Sequence, residues 1–220
     1  MKRYALYYAP EPGPLADAAA RWLGRDAVSG QLLAQPDPGL WDLTVSARRY
    51  GFHGTLKAPF RLAPGMTEDD LIAAVEVFAA GRAAIVADGL KVASLDGFLA
   101  LIPEGDTTAL NDFAGTVVTR FDRFRAPLTE AEIARRNPDR LNGRQRALLD
   151  AYGYPYVLDQ FRFHMTLSDR LRDEQQARVL PMARALFEPL LPRPFAIRAL
   201  CVFGEGDEGS FHQILRVKLG

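Results

Sequence analysis

The chain has 220 residues, 48% of them hydrophobic and 25% charged, with 27 Lys plus Arg against 27 Asp plus Glu. That is enough chain for a sizeable core, and the even charge balance excludes a nucleic-acid or membrane partner recruited by net charge alone. The single cysteine, Cys201, excludes an internal disulfide or a cysteine-rich zinc site and fits a reducing cytoplasm, while no apolar run forms a signal peptide or approaches the ~18 residues of a membrane span.

In chain order, RYALYYAP (residues 3–10) predicts a first strand, closed by the PEPGP turn cluster. LADAAARWLGR has helical spacing and ends near Gly24. GFHGTLKAPF (residues 51–60) is extended in character. Thr67 followed by Asp70 is a capping-box pattern that opens a helix through TEDDLIAAVEVFAAGR. GLKVASLDGFLALIPEG reads as a hairpin turning at Asp96-Gly97. DTTALNDFAGTVVTRFDRF, APLTEAEIARR and GRQRALLDAYG are helical, the last two separated by the Asn137-Pro138 breaker. FRFHMTLSDRL (residues 161–171) is a strand again. DEQQARVLPMARALFEPLL is a helix with Pro181 as a kink, and FAIRALCVFG and SFHQILRVKLG are two strands around GEGDEG.

Two of the three histidines stand in one five-residue frame, FHGTL at 52–56 and FHMTL at 163–167. After each copy comes a helix and then a hairpin, a repeat of pattern without further identity. The segment from about 104 to 160 has no counterpart. Alternation along a strand puts His53, Thr55 and Lys57 on one face, and His164, Thr166 and Ser168 likewise. In-line displacement at phosphorus needs a base on the entering oxygen and an acid on the leaving one. Imidazole serves either role near neutrality, and a hydroxyl two residues on can donate to a nonbridging oxygen.

His53-Gly54-Thr55 and His164-Met165-Thr166 resemble the two HxT motifs of the 2H phosphoesterase superfamily. YGFHGTLKAPF with FRFHMTLS is similar to a bacterial subfamily of uncharacterised proteins associated with phosphonate metabolism. The resemblance implies a single bilobal α+β domain over 1–220, with two pseudo-twofold-related antiparallel sheets, outer helices and a central cleft. It also implies phosphodiester chemistry without metal or cofactor. His53 and His164 are then the catalytic pair, and Thr55 and Thr166 hold the phosphate.

Lys57 and Arg162 have the parity to offset phosphate charge, with Arg suited to bidentate contact. Arg49, Tyr50 and Ser168 are candidates for the substrate rim. GEGDEG matches GxGxxG but is followed by a strand, so it reads as a hairpin loop. His212 lacks a hydroxyl two residues on and reads as structural. Eight arginines against four acids between 120 and 146 suggest a solvated face or a rim that draws anions.

The expectation is a cytoplasmic, monomeric phosphodiesterase that hydrolyses or opens a small phosphorylated substrate such as a cyclic ribose phosphate. Which histidine is the base stays open at this stage. The alternatives are an enzyme on RNA 2′,3′-cyclic or 2′-5′ ends, and a non-catalytic binder of a phosphorylated metabolite.

Overall fold

A computed structural model describes all 220 residues. Its centre is a seven-stranded antiparallel sheet in the order β4-β5-β6-β2-β1-β8-β9. These strands are β1 (Tyr4–Tyr8), β2 (Gly54–Phe60), β4 (Gly89–Leu95), β5 (Phe98–Glu104), β6 (Met165–Thr166), β8 (Ala199–Glu205) and β9 (Phe211–Lys218). β3 (Ile85–Ala87) and β7 (Phe195–Ile197) form a separate two-stranded sheet. The α+β class and antiparallel pairing are as expected. The two separate main sheets are not: they join edge to edge through β2 and β6, the fourth and third strands of one sheet.

The element order repeats. β2 leads to α3 (Glu68–Ala80), β3 and the β4–β5 hairpin, and β6 leads to α7 (Asp173–Phe187), β7 and the β8–β9 hairpin. Counterpart strands pair with each other twice, β2 with β6 and β3 with β7. The hairpins cross over, so β4–β5 lies beside β6 and β8–β9 lies on the side of β2. Local chemistry agrees with the elements: Thr67 and Asp70 form a reciprocal capping box, and the β4–β5 turn falls at Asp96-Gly97. α1 (Pro14–Leu23) ends at Gly24, and Trp22 on it donates its indole N–H to the Leu167 carbonyl at 2.8 Å. No helix is long and apolar enough to cross a membrane.

One face of the sheet carries the main core. Along β1, Tyr4, Leu6 and Tyr8 enter it, while Ala5 and Tyr7 face the other way into a smaller cluster with Phe203 and Phe211. Both faces of β1 are therefore buried. The segment without a counterpart contributes α4 (Thr108–Arg120), α5 (Glu130–Ala134) and α6 (Gly143–Tyr152). α4 packs behind β2, and the chain beyond it comes round to the opposite face.

Two sequence expectations give way here. Between Thr55 and Lys57 a β-bulge breaks the register with β1, so Tyr7 faces Thr55 while Leu6 faces Lys57. Lys57 therefore turns to the core side. It is 3% exposed and donates to Asp122 Oδ1 at 3.0 Å and to the Val118 carbonyl, far from any role on a phosphate. Arg49 lies before the motif strand in α2 (Val45–Tyr50), a short helix ending at Gly51. The strand expected over 161–171 pairs only at Met165–Thr166, because Ser168 Oγ replaces the ladder by accepting Leu99 N–H at 2.9 Å and donating to the Asp169 carbonyl.

The Lys57–Asp122 pair, joined by Arg125 at 2.8 Å, fastens the inserted segment to the first motif strand. Burial lowers the pKa of the Lys57 ammonium, and Asp122 opposes that shift. Removing the carboxylate leaves a buried cation unpaired. Asp122→Ala should therefore destabilise the fold by roughly 3–5 kcal/mol in urea titration. Asp159→Ala, which breaks the exposed pair with Arg144, should leave the urea midpoint nearly unchanged, because water screens that pair. Equal effects of the two changes would contradict a structural role for the buried pair.

Candidate active site

The single recorded β2–β6 pairing, Gly54 with Met165, organises the site. Continued one residue each way, that register sets His53 opposite Thr166 and Thr55 opposite His164. The four side chains share the face opposite the core, and the two histidines are diagonal neighbours, at roughly 7–8 Å for such a relation. Gly54 makes the approach possible. A Cβ there would meet the Phe163 ring at 2.4 Å, so the FHGTL and FHMTL copies differ where one strand must admit the other's aromatic ring.

Both imidazoles are held the same way. His53 Nδ1–H donates to the Gly51 carbonyl at 2.9 Å, and His164 Nδ1–H donates to the Arg162 carbonyl at 2.8 Å. A carbonyl only accepts, so in each ring Nδ1 carries the proton and Nε2 is left as the basic nitrogen. His53 Nε2 accepts from the Thr55 hydroxyl at 3.1 Å, whereas His164 Nε2 has no partner in the protein. The carbonyl beneath His53 belongs to Gly51, which closes α2 at φ 75°. A Cβ there would lie 2.4 Å from that of Ala27. Asp169, just past the second motif, accepts from Ser46 and Ala47 N–H at the other end of α2. α2 therefore spans from one motif to the other.

The rings differ in their surroundings. Tyr7 stacks on His53 with centroids 3.8 Å apart and 24° between planes. Burial pushes the His53 pKa down to about 4, with the Gly51 carbonyl opposing and His164 adding to the depression. His164 lies 5.4 Å from the Phe98 ring; burial lowers its pKa too, the Arg162 carbonyl and Asp96 opposing and the Arg162 charge assisting.

A cleft of about 570 Å³ opens over this face and takes in His53, Thr55 and Thr166. An adjoining space of about 340 Å³ takes in His164 and Arg162. Thr55, Phe98, Tyr154 and Arg170 border both. Arg162 reaches this second space, though its guanidinium is paired with Asp96. Tyr50 and Arg49 line the first; Arg49 is held by Glu205 and the Gly209 carbonyl, and Tyr50 stacks on Phe211. Ser168 is in the wall, 1% exposed, with its hydroxyl bonded to backbone. Lys57 borders neither space.

Four contributors have no signature in the motifs. Tyr7 comes from β1, Arg135, Arg136 and Tyr154 from the inserted segment, and all line the cleft. The excess of arginine in that segment was the one available signal. Of its eight arginines only 135 and 136 reach the cleft, Arg136 lying over the Tyr154 ring. GEGDEG is the β8–β9 loop, and His212 bonds Glu208 outside both spaces. No group of three or more His, Cys, Asp or Glu is placed to hold a metal ion.

The buried His53 has a direct readout. A depressed folded-state pKa means its contribution to stability is present above about 6.5, the unfolded value, and is lost as pH falls towards 4. Its ring protons should titrate near 4 by NMR, and inorganic phosphate should move that midpoint upward. A free-protein midpoint at 6.5 or higher would contradict the desolvated stack against Tyr7.

Comparison with known proteins places the chain beside longer ones. A protein named ribose 1,5-bisphosphate phosphokinase PhnN, from Janthinobacterium sp. (strain Marseille), is 42% identical over 221 residues, covering 96% of this chain and 49% of that protein. A second protein of that name, from Laribacter hongkongensis (strain HLHK9), is 33% identical over 98% of this chain and 51% of its own length. The chain thus spans about half the length of the curated relatives it matches. Among solved structures, a crystal structure of phosphoesterase aligns with TM-score 0.45 and 10% identity over 100% of this chain and 99% of that one. The protein TT0787 of Thermus thermophilus aligns with TM-score 0.48 and 14% identity over 99% and 97%. The family model described as "Protein of unknown function (DUF1045)" matches residues 55–212, and the chain belongs to that family.

Proposed function

We propose that this chain is a 2H-type phosphoesterase that hydrolyses a small cyclic phosphodiester on a phosphorylated sugar, within phosphonate metabolism and without a metal ion. The observation that carries this reading is the doubled imidazole presentation. On adjacent strands two histidines give Nδ1–H to the carbonyl two residues back and keep Nε2 as the basic nitrogen, each with a threonine two residues on. A metal site would call for further ligands around those nitrogens, and none is placed there.

The roles divide by environment. His53, with its pKa at about 4 and its Nε2 already accepting from a hydroxyl, takes the proton of the attacking water. The water oxygen bonds to phosphorus, the ring P–O bond breaks, and His164 Nε2–H gives its proton to the departing sugar oxygen. The product is an open phosphomonoester. Thr55 and Thr166 donate to the nonbridging oxygens, Thr55 turning from His53 to the phosphate. His164 must enter this cycle protonated, and a bound phosphodiester anion raises its pKa in that direction.

The phosphokinase in the relatives' name fits the half of those proteins that this chain does not cover. A GxxxxGK[ST] loop does not occur here, and the one GxGxxG match is a hairpin turn. A diesterase half beside a ribose-bisphosphate kinase half makes chemical sense. Opening a cyclic phosphodiester on ribose yields the kind of phosphomonoester such a kinase takes. Arg135, Arg136 and Arg170, none of them ion-paired to a carboxylate, give the cleft its affinity for a phosphorylated sugar.

A turnover screen with EDTA present should include a cyclic ribose phosphate, cyclic nucleotides and a short RNA ending in a 2′,3′-cyclic phosphate. It should show hydrolysis strongest on the sugar phosphate. Thr55→Val and Thr166→Val should each lower kcat by roughly tenfold to a thousandfold, the scale for losing one oxyanion donor. Turnover that needs added zinc or manganese, or threonine variants that work normally, would defeat the mechanism.

A further inference from the structure

Tyr7 sits on β1, the strand between the first motif and the β8–β9 hairpin, opposite Thr55 in the register. It is 1% exposed, and its ring is fixed between His53, at 3.8 Å, and Phe203, at 5.0 Å. Packing explains the ring and leaves the hydroxyl over. A phenylalanine would fill the same space, and a buried hydroxyl without a partner carries a penalty. The Tyr7 oxygen makes no hydrogen bond in the protein. Yet every side-chain nitrogen or oxygen sealed from solvent does have a partner, so this oxygen still opens onto the cleft that Tyr7 lines.

From this geometry we propose that the Tyr7 hydroxyl is a third phosphate donor, supplementing Thr55 and Thr166 at the phosphoryl oxygens. The proposal rests on the phosphoesterase reading and adds a residue that neither motif contains. The surroundings suit a donor. Burial, with Tyr50 and Tyr154 nearby, holds the Tyr7 phenol well above the ordinary tyrosine range, so it stays protonated through the working pH. It is also fixed before substrate arrives, because the stack on His53 leaves the ring one orientation. A donor on a rigid strand loses little freedom on binding, and a hydrogen bond to an anion is among the stronger ones. The same ring thus desolvates the base while its hydroxyl meets the charge that the base helps to create.

Tyr7→Phe tests the hydroxyl alone, since the ring and its stack remain. Binding of inorganic phosphate to the full chain, followed by calorimetry, should weaken by about tenfold or more, the scale of one hydrogen bond to a charged group. The NMR midpoint of His53 should stay where it is. Tyr7→Leu, which removes the ring, should instead move that midpoint upward. Thr166→Val serves as the reference for the site. If Tyr7→Phe binds phosphate as the wild type does while Thr166→Val binds it less well, the Tyr7 proposal is wrong and the phosphoesterase reading stands. If neither change alters binding, or the wild type does not bind phosphate, both are wrong.

Discussion

The contact of Gly54 with Met165 is the constraint on which the rest depends. It is one antiparallel pair in the middle of a seven-stranded sheet, and it joins two halves that repeat the same order of elements. A one-residue slip of either strand would turn its histidine and threonine into the core. The side-chain fit prevents that slip. Phe163 lies over Gly54 where any Cβ would collide, and Met165 and Leu167 go into the main core with Leu56. Packing on the hidden face therefore sets the geometry of the working face. On the proposed reading, the twofold relation supplies what one motif cannot, since a phosphorus centre must be met from two sides at once.

Around that seam the structure spends its charges on rigidity. Lys57, Asp122 and Arg125 bind the inserted segment to β2 from behind, and Arg61 reaches Glu132. These pairs hold the base of the segment whose far end brings Arg135, Arg136 and Tyr154 over the cleft. Arg3 and Arg49 share Glu205 at the end of β8, and Arg49 also donates to the Gly209 carbonyl, which ties α2 to the β8–β9 hairpin. α2 in turn supplies the carbonyl that fixes the His53 tautomer. These pairs frame the site, and burial within it holds the pKa of both imidazoles below the ordinary histidine value.

Much of this was legible in the chain. His53, Thr55, His164 and Thr166 share a face because strand parity survives the two residues that separate them. The Thr67 capping box and the Asp96-Gly97 turn are local chemistry, and local chemistry is what a sequence states most directly. The failures came where long-range pairing decides. Lys57 lost its parity to a bulge that exists only against β1. α2, which carries Arg49 to the cleft, is a helix of six residues, too short to show a period. The two sheets became one because strand order is not written in any single strand. Tyr7 was hidden for a different reason: on a strand buried on both faces, its neighbours are as apolar as it is.

The central claim is that the two motifs are one machine, and the pH-resolved kinetics of four proteins address it most directly: wild type, His53→Ala, His164→Ala and the double variant. The account predicts a bell for wild-type kcat/KM whose acidic limb lies towards 4, below the ordinary histidine value, because burial depresses His53 in the free protein. The kcat bell, which reports the substrate complex, should lie higher. Each single variant should lose roughly 10²–10⁴-fold, and the double variant little more than the worse of the two. Two independent losses that multiply, or one histidine that proves dispensable, would contradict the account.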